Sequence, residues 1–252
     1  MRIDKYLADK FGSRTKCAEA IAKGLVKVNG KTVVPSYDVK EDDNVEISEA
    51  EEHFVSNGGY KLSKAIKDFN FSVKGKIFAD IGASNGGFTD CLLQNGASKV
   101  YCIDVGESQL DGSLRGKNVV IIDNFNARNL TSDLFKDKLD GIVIDVSFIS
   151  LTYILEAVGN VLLDESAEVI ALIKPQFECE SKNVGKNGIV KKPEVHERVL
   201  KKIYDFALKC NLFPVNLTTA PIVQGKNIEY LIHLDKRGVY KPFQSLLNNV
   251  II

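Results

Sequence analysis

Three ionisable residues stand where apolar runs begin or end, and a fourth lies on a helical stretch before them. Asp145 follows GIVI in IDVSFISL, Lys174 follows VIALI in IKPQFE, Glu229 leads into YLIHL, and Lys61 lies in a helical stretch ahead of all three. An acid or lysine in such a place is usually only solvated. In a doubly wound sheet, however, ligands bind outside the carboxyl ends of the strands, so these are positions where proton-handling groups would meet a substrate. A second set suits a nucleotide. The stretch FADIGASNGGFTDCLLQNGASKVYCIDVG reads as strand, glycine turn, helix and strand. Its glycines, Gly82, Gly86 and Gly87, would let the backbone approach a ligand at the helix N-terminus, and Asp104, about 20 residues on, sits where ribose hydroxyls are held. The spacing is not the G-x-G-x-x-G of a dinucleotide site: Ala83, Ser84 and Asn85 separate Gly82 from Gly86, Asp80 precedes the turn and Phe88 follows it.

Positioning these groups requires a sheet. Apolar runs at 76–81, 100–103, 119–122, 141–144, 169–173, 215–219 and 230–234 alternate with helical stretches at 60–69, 88–93, 151–161 and 194–209. Such alternation implies a mostly parallel sheet covered on both faces. Residues 1–50 have a different pattern. Ile3, Tyr6, Leu7 and Phe11 fall at helical spacing, and Ser13 reads as the cap of a second helix over 14–23 ended by Gly24. Leu25 to Val34 then reads as a hairpin turning at Asn29-Gly30, with a last strand at 45–47. We therefore expect a small domain over 1–50, a linker over 51–59, a large domain over 60–236 and a tail over 237–252.

Composition is that of an ordinary globular protein, with 44% hydrophobic and 26% charged residues among 252. No apolar run reaches the roughly 18 residues of a membrane helix, and the charged start MRIDKYLADKFG is not a signal segment, so a cytoplasmic location is expected. Five scattered cysteines and three dispersed histidines suggest reduced thiols and no metal site. The net charge of zero conceals polarity: residues 1–31 hold eight basic and three acidic side chains, 32–52 one and eight, and 181–202 seven and two.

Together these segments resemble a known family. The pattern D-x-G-x-x-x-G-G-F is similar to the S-adenosylmethionine loop of FtsJ-like ribose 2′-O-methyltransferases, and Lys61, Asp145, Lys174 and Glu229 match that family's Lys-Asp-Lys-Glu tetrad in order and context. VSNGGYKL, CIDVG, NARNL, DVSFISL, LIKPQFE and VGKNGIVKKPEVH extend the likeness to the TlyA-type, or hemolysin-A-type, rRNA methyltransferases. Asn57 departs from the pattern, which has arginine before the glycine pair. R-x-D-K-Y-L, S-R-x-x-x-A and I-x-x-G-x-V-x-V-N-G resemble the small alpha-L, S-four-type RNA-binding domain.

The resemblance implies an α/β chain: a Rossmann-like methyltransferase domain with a mostly parallel, doubly wound sheet, preceded by a small α+β RNA-binding domain. It implies S-adenosyl-L-methionine as cofactor, held by Asp80, Gly82, Ala83, Ser84, Gly86, Gly87, Phe88, Asp104, Asn126 and Asp145. It also implies ribosomal RNA or ribosomal subunits as partner, met by Arg2, Lys5, Arg14, Lys16 and Lys27. The substrate would be a cytidine 2′-hydroxyl. Relatives modify one or both subunits, and the short start of this chain leads us to expect the large-subunit RNA. A ribose hydroxyl is a poor nucleophile, so the site must place it in line and help remove its proton. Lys174 would do so if a nearby Lys61 and partial burial lowered its pKa, with Asp145 and Glu229 orienting both amines. Two other readings are open: an RNA-binding factor whose methyltransferase fold is inactive, and a cytolysin, for which the sequence offers no apolar span.

Overall fold

The computed structural model describes residues 1–22, 25–47, 53–107, 109–116, 118–162 and 164–251, apart from the side chains of Lys16 and Glu19. Its contacts divide into two units, Met1–His53 and Phe54–Ile252.

In the first unit, three short helices, α1 (Ile3–Tyr6), α2 (Ala8–Phe11) and α3 (Arg14–Ala22), precede strands β1 (Val26–Val28), β2 (Lys31–Thr32) and β3 (Val45–Ile47). The sheet runs β2-β1-β3, antiparallel throughout. Asn29 and Gly30 both take positive φ, 51° and 75°, the geometry of a two-residue turn whose twist matches the strands it joins. The first helix is broken, contrary to its continuous spacing. Leu7 leaves the helical region (φ −101°, ψ 7°) while its side chain joins Ile3, Cys17, Ile21, Val26 and Val28 in the core. The expected end of α3 at Lys23-Gly24 lies outside the described residues.

The second unit contains α4 (Asn57–Phe69), β4 (Ile77–Ile81), α5 (Gly87–Gln94), β5 (Lys99–Ile103), β6 (Val119–Ile122), β7 (Gly141–Ile144), α6 (Thr152–Val161), β8 (Glu168–Ile173), α7 (Pro175–Glu178), α8 (Pro193–Lys209), β9 (Phe213–Thr219), β10 (Tyr230–Asp235) and α9 (Phe243–Leu247). The sheet order is β6-β5-β4-β7-β8-β10-β9. Strands β4 to β8 are parallel, and β10 runs antiparallel to both of its neighbours. Every residue of β7 and nearly all of β8 is buried, as expected for strands covered on both faces. Successive side chains along a strand point to opposite faces, so the sheet separates two apolar clusters: Ile81, Ile142 and Ile144 face α6 and α8, whereas Phe78, Val100 and Val143 pack with residues of α4 and α5.

Two features position the site. From β4 the chain moves outward to β5 and β6, then returns to the other side of β4 as β7. This reversal opens a crevice at the carboxyl ends of β4 and β7. Because β10 is antiparallel, its first residue sits at that same edge: Tyr230 pairs with Ile173, the last residue of β8. Glu229 is thereby brought level with Lys174.

The start of the large unit differs from the expected linker. Phe54 packs edge-on against Tyr60, the Val55 amide donates to Asp90 at 3.0 Å, and α4 begins three residues early at Asn57. Residues 54–59 are held by α5 rather than spanning open space. The tail also belongs to this unit: Leu246 is buried, and Phe243, Leu247 and Val250 pack against the α6–α8 cluster.

Candidate active site

Asp145, Lys174 and Glu229 leave the ends of β7, β8 and the start of β10, while Lys61 comes from the second turn of α4. They form two ion pairs. Lys174 Nζ lies 2.6 Å from Asp145 Oδ1, and Lys61 Nζ donates to Glu229 Oε2 at 2.6 Å. Each lysine thus faces a carboxylate, the arrangement in which Asp145 and Glu229 orient the two amines. Lys174, 9% exposed, also donates to Ser147 Oγ at 2.7 Å. Its approach to Asp145 is a charge contact without hydrogen-bond geometry. Asp145 Oδ1 and Gln176 Oε1 are therefore buried acceptors with no hydrogen-bond donor among the described residues. Gln176 Nε2 reaches Glu229 Oε1 at 3.5 Å, connecting the segment after Lys174 to the other pair.

Two cavities meet at the crevice. The larger, about 350 Å³, is bordered by Gly82, Ser84, Asp104, Asn126, Phe148 and Ile149, among others. A smaller one, about 170 Å³, is bordered by Gly58, Ala83, Gly87, Phe88, Ser147 and Lys174. Gly82, Ser84, Asp145 and Ser147 border both. An elongated ligand with an apolar base and a charged end could span them, with the Asp145 carboxylate, which already faces Lys174, at the inner end. A cavity of about 450 Å³ near Leu139 and Leu162 lies at the amino end of β7, away from these groups.

Asp104 is built into the loop itself. Its Oδ2 accepts from the Ser84 amide and its Oδ1 from the Gly106 amide, both at 2.8 Å, so it fixes the backbone beside the cavity while each oxygen keeps accepting capacity for a hydroxyl. Asn126 caps the short turn at Ala127–Asn129 by accepting from the Arg128 amide at 3.1 Å, with its side chain at the cavity wall.

Gly82 and Gly86 are required by packing as well. A Cβ at Gly86 (φ +91°) would lie 2.5 Å from Leu114 and 2.6 Å from Leu110, and one at Gly82 (φ +81°) would lie 2.6 Å from the Asp145 carbonyl. Gly82 is thus what lets the loop after β4 lie against the end of β7. Asp80 and Gly86 border neither cavity. Asp80 is fully buried in β4, accepts from Thr89 Oγ1 at 2.7 Å and has no hydrogen-bond partner for Oδ1 among the described residues. Burial first, then the negative charges of Asp145 and Asp104, push its carboxyl up to about 7.

In the small unit, Arg2 and Arg14 both donate to the buried carboxylate of Asp4, at 2.9 and 3.0 Å. These two hydrogen bonds, Arg2's first, hold Asp4 below the usual carboxylate range. Lys5 and Lys27 are exposed and have no ion pair among the described residues, and the side chain of Lys16 lies outside them.

Sequence reasoning missed Ser147, Gln176 and Phe148. The first two are ordinary polar residues in IDVSFISL and IKPQFE and carry no pattern of their own. Phe148 reads as a core residue, yet it is 90% exposed, takes φ +64° and lies 5.0 Å from the Phe177 ring at the lip of the larger cavity.

Comparison with known proteins identifies both units. Residues 54–236 match the FtsJ-like methyltransferase model, and residues 1–45 match the S4 domain. Hemolysin A of Brachyspira hyodysenteriae is 42% identical over 239 residues, 92% of this chain and 99% of that protein. A Mycobacterium tuberculosis protein named 16S/23S rRNA (cytidine-2′-O)-methyltransferase TlyA is 36% identical over 226 residues, 88% of this chain and 84% of its own. A solved structure from Streptococcus thermophilus, described provisionally as a hemolysin, has a TM-score of 0.73 at 36% identity and covers 98% of this chain and 94% of its own. The family match spans the strands on either side of the switch-point crevice and all four tetrad residues, and the chain belongs to the FtsJ-like methyltransferases, with an S4 domain ahead of the catalytic one.

Proposed function

We propose that this protein transfers a methyl group from S-adenosyl-L-methionine to the ribose 2′-hydroxyl of a cytidine in ribosomal RNA, with the large-subunit RNA as the first substrate to test. The observation that carries this reading is the convergence of two lysine–carboxylate pairs on the edge that holds the paired cavities. Gly82, Ser84, Asp104 and Asn126 would hold the adenosyl half, and Asp145 with the Gly87 segment the amino-acid end. When bound, the cofactor supplies an electrophilic methyl group on sulfur.

The chain's own residues then act on the hydroxyl. Lys174, nearly buried and fixed by Asp145 and Ser147, orients the hydroxyl, and the Lys174–Asp145 pair takes up its proton as the new O–C bond forms and the methyl leaves sulfur. Lys61 and Glu229 brace the opposite side through Gln176. Phe148 offers an exposed aromatic face at the lip, the surface on which an unstacked base settles. The S4 domain would supply affinity for the RNA backbone through Lys5, Lys16 and Lys27, with Arg2 and Arg14 contributing what Asp4 leaves free.

No helix of the described residues is long and apolar enough to cross a membrane, and a cytoplasmic site of action follows from the proposed substrate. Incubating the purified protein with methyl-labelled cofactor and separate ribosomal subunits, then mapping ribose methylation, tests the reading. Label at a cytidine 2′-oxygen of rRNA is expected. Label on the base, or none on either RNA while cofactor binds, would overturn it.

A further inference from the structure

Lysines 186, 191 and 192 belong to a loop that is exposed yet closely fixed. The Asn227 side chain holds it from both sides: Oδ1 accepts from the Val190 amide and Nδ2 donates to the Gly188 carbonyl, each at 2.8 Å. His196 Nε2 lies 2.9 Å from the Val190 carbonyl, and His196 Nδ1 lies 2.8 Å from the hydroxyl of Tyr230, which follows Glu229 in sequence. Val190, His196 and Tyr230 are buried. The loop is therefore anchored on both flanks of Glu229, two residues before it and one after.

The charge it presents is unspent. Of the seven basic residues between 181 and 202, Lys182, Lys201 and Lys202 are ion-paired with Glu180, Asp205 and Glu178. Lys186, Lys191 and Lys192 are exposed and have no ion pair among the described residues. The acids on the same stretch, Glu194 and Glu197, stand at the start of α8. Ordering a glycine-containing loop costs conformational entropy, and a merely solvating surface would not require a half-buried anchor, Asn227, and a buried pair, His196 and Tyr230, behind it.

We infer that residues 184–192 form a second contact with the RNA phosphate backbone, separate from the S4 domain and registered to the tetrad through Asn227, His196 and Tyr230. This rests on the methyl transfer proposed above. The loop sets where the substrate strand lies relative to Glu229 and Lys174, so it acts on capture of the RNA and not on the chemical step.

The test uses the full chain carrying Lys186→Gln, Lys191→Gln and Lys192→Gln together, with a transcribed single-stranded rRNA fragment as the probe. Each phosphate contact on a single strand contributes about 0.7 to the slope of log affinity against log salt, so the slope should fall by about 2. KM for RNA should rise at least about tenfold with kcat within about twofold, and cofactor affinity should be unchanged. A second variant, Asn227→Ala, keeps the charge but releases the loop. It should raise KM together with amide exchange at 185–190, and Asn227→Asp, which keeps the acceptor for Val190, should recover part of the loss.

An unchanged salt slope in the triple variant would reduce the loop to a solvated surface, even if wild-type protein methylated rRNA normally. Weaker binding to intact subunits with none to naked RNA would assign it to a ribosomal protein and also overturn the inference. An unchanged KM in Asn227→Ala despite faster exchange would remove the claim of register. Because the slope is read from binding alone, it remains decisive even if wild-type protein methylated nothing.

Discussion

The two ends of the candidate active site are built by different means. At the Asp104 end, carboxylate oxygens bind backbone amides, so position follows from the path of the chain through β4, β5 and the turn between. At the Lys174 end, side chains from α4, β7, β8 and β10 meet as ion pairs and share only the sheet edge. The first arrangement is local and tolerant of change elsewhere, whereas the second depends on the register of strands far apart in sequence. Cofactor affinity and chemistry should accordingly be separable by mutation.

Lys174→Ala is the strongest way to break this division. It removes the amine held by Asp145 and Ser147 and should lower kcat by at least about 30-fold, or about 2 kcal/mol of transition-state stabilisation, with cofactor affinity within about twofold. Single-turnover methylation and calorimetry on the same preparation read both quantities. Near wild-type turnover would remove Lys174 from the reaction, and a parallel loss of cofactor binding would join the two ends into one unit.

Asp104→Ala tests the other end. Two charge-assisted hydrogen bonds to the loop are lost, and cofactor Kd should rise about tenfold while kcat at saturating cofactor stays within about threefold. If kcat fell as far as in Lys174→Ala, the loop would be positioning the reacting groups as well.

A smaller effect is expected behind the loop. In the folded chain Asp80 keeps its proton up to about pH 7, against 3.8 in the unfolded chain, so between those values the native state binds more protons. Its contribution to stability is full below about pH 4 and is lost as pH rises towards 7. Asp80→Asn cannot titrate but can still accept from Thr89. The variant's Tm should therefore gain a few degrees on wild type as pH rises from about 4 to about 7, and hold that gain above. Parallel Tm curves over this range would show that Asp80 is ionised when folded.

Much of the fold was legible because its signals are local. Apolar runs bounded by Gly82, Gly96 and Gly141 gave the parallel strands, and Asn29-Gly30 gave the hairpin. The four tetrad positions could be named from motif resemblance, but not how they pair. That depends on β10 running antiparallel, which places Glu229 beside the end of β8, and strand direction is set by packing rather than by any residue within YLIHLD. The same holds for Arg2 and Arg14. Their charge suggested a ligand, but Asp4 engages both: Arg2 locally, two residues away, and Arg14 only once α1 and α3 are folded together. Gly86 gives the reverse lesson. Its spacing pointed to ligand approach, while the nearby leucines show that Gly86→Val would disturb packing, so reduced binding in that variant would say little about the cofactor.

The sheet ends on one side at β9, and an outermost strand exposes unpaired amides and carbonyls on which another chain can template. Here the C-terminal residues act as a strap along that border. The Lys241 amide donates to the Pro214 carbonyl near one end of β9, the Ile251 amide donates to Thr219 Oγ1 at the other, and Leu246 is buried between them. The opposite border is the four-residue β6, whose Val120 and Ile121 are partly open to solvent. Clipping the chain before Lys241 would leave the catalytic edge untouched and uncover a seven-residue strand. Its first consequence would be shortened shelf life through self-association, not slower turnover.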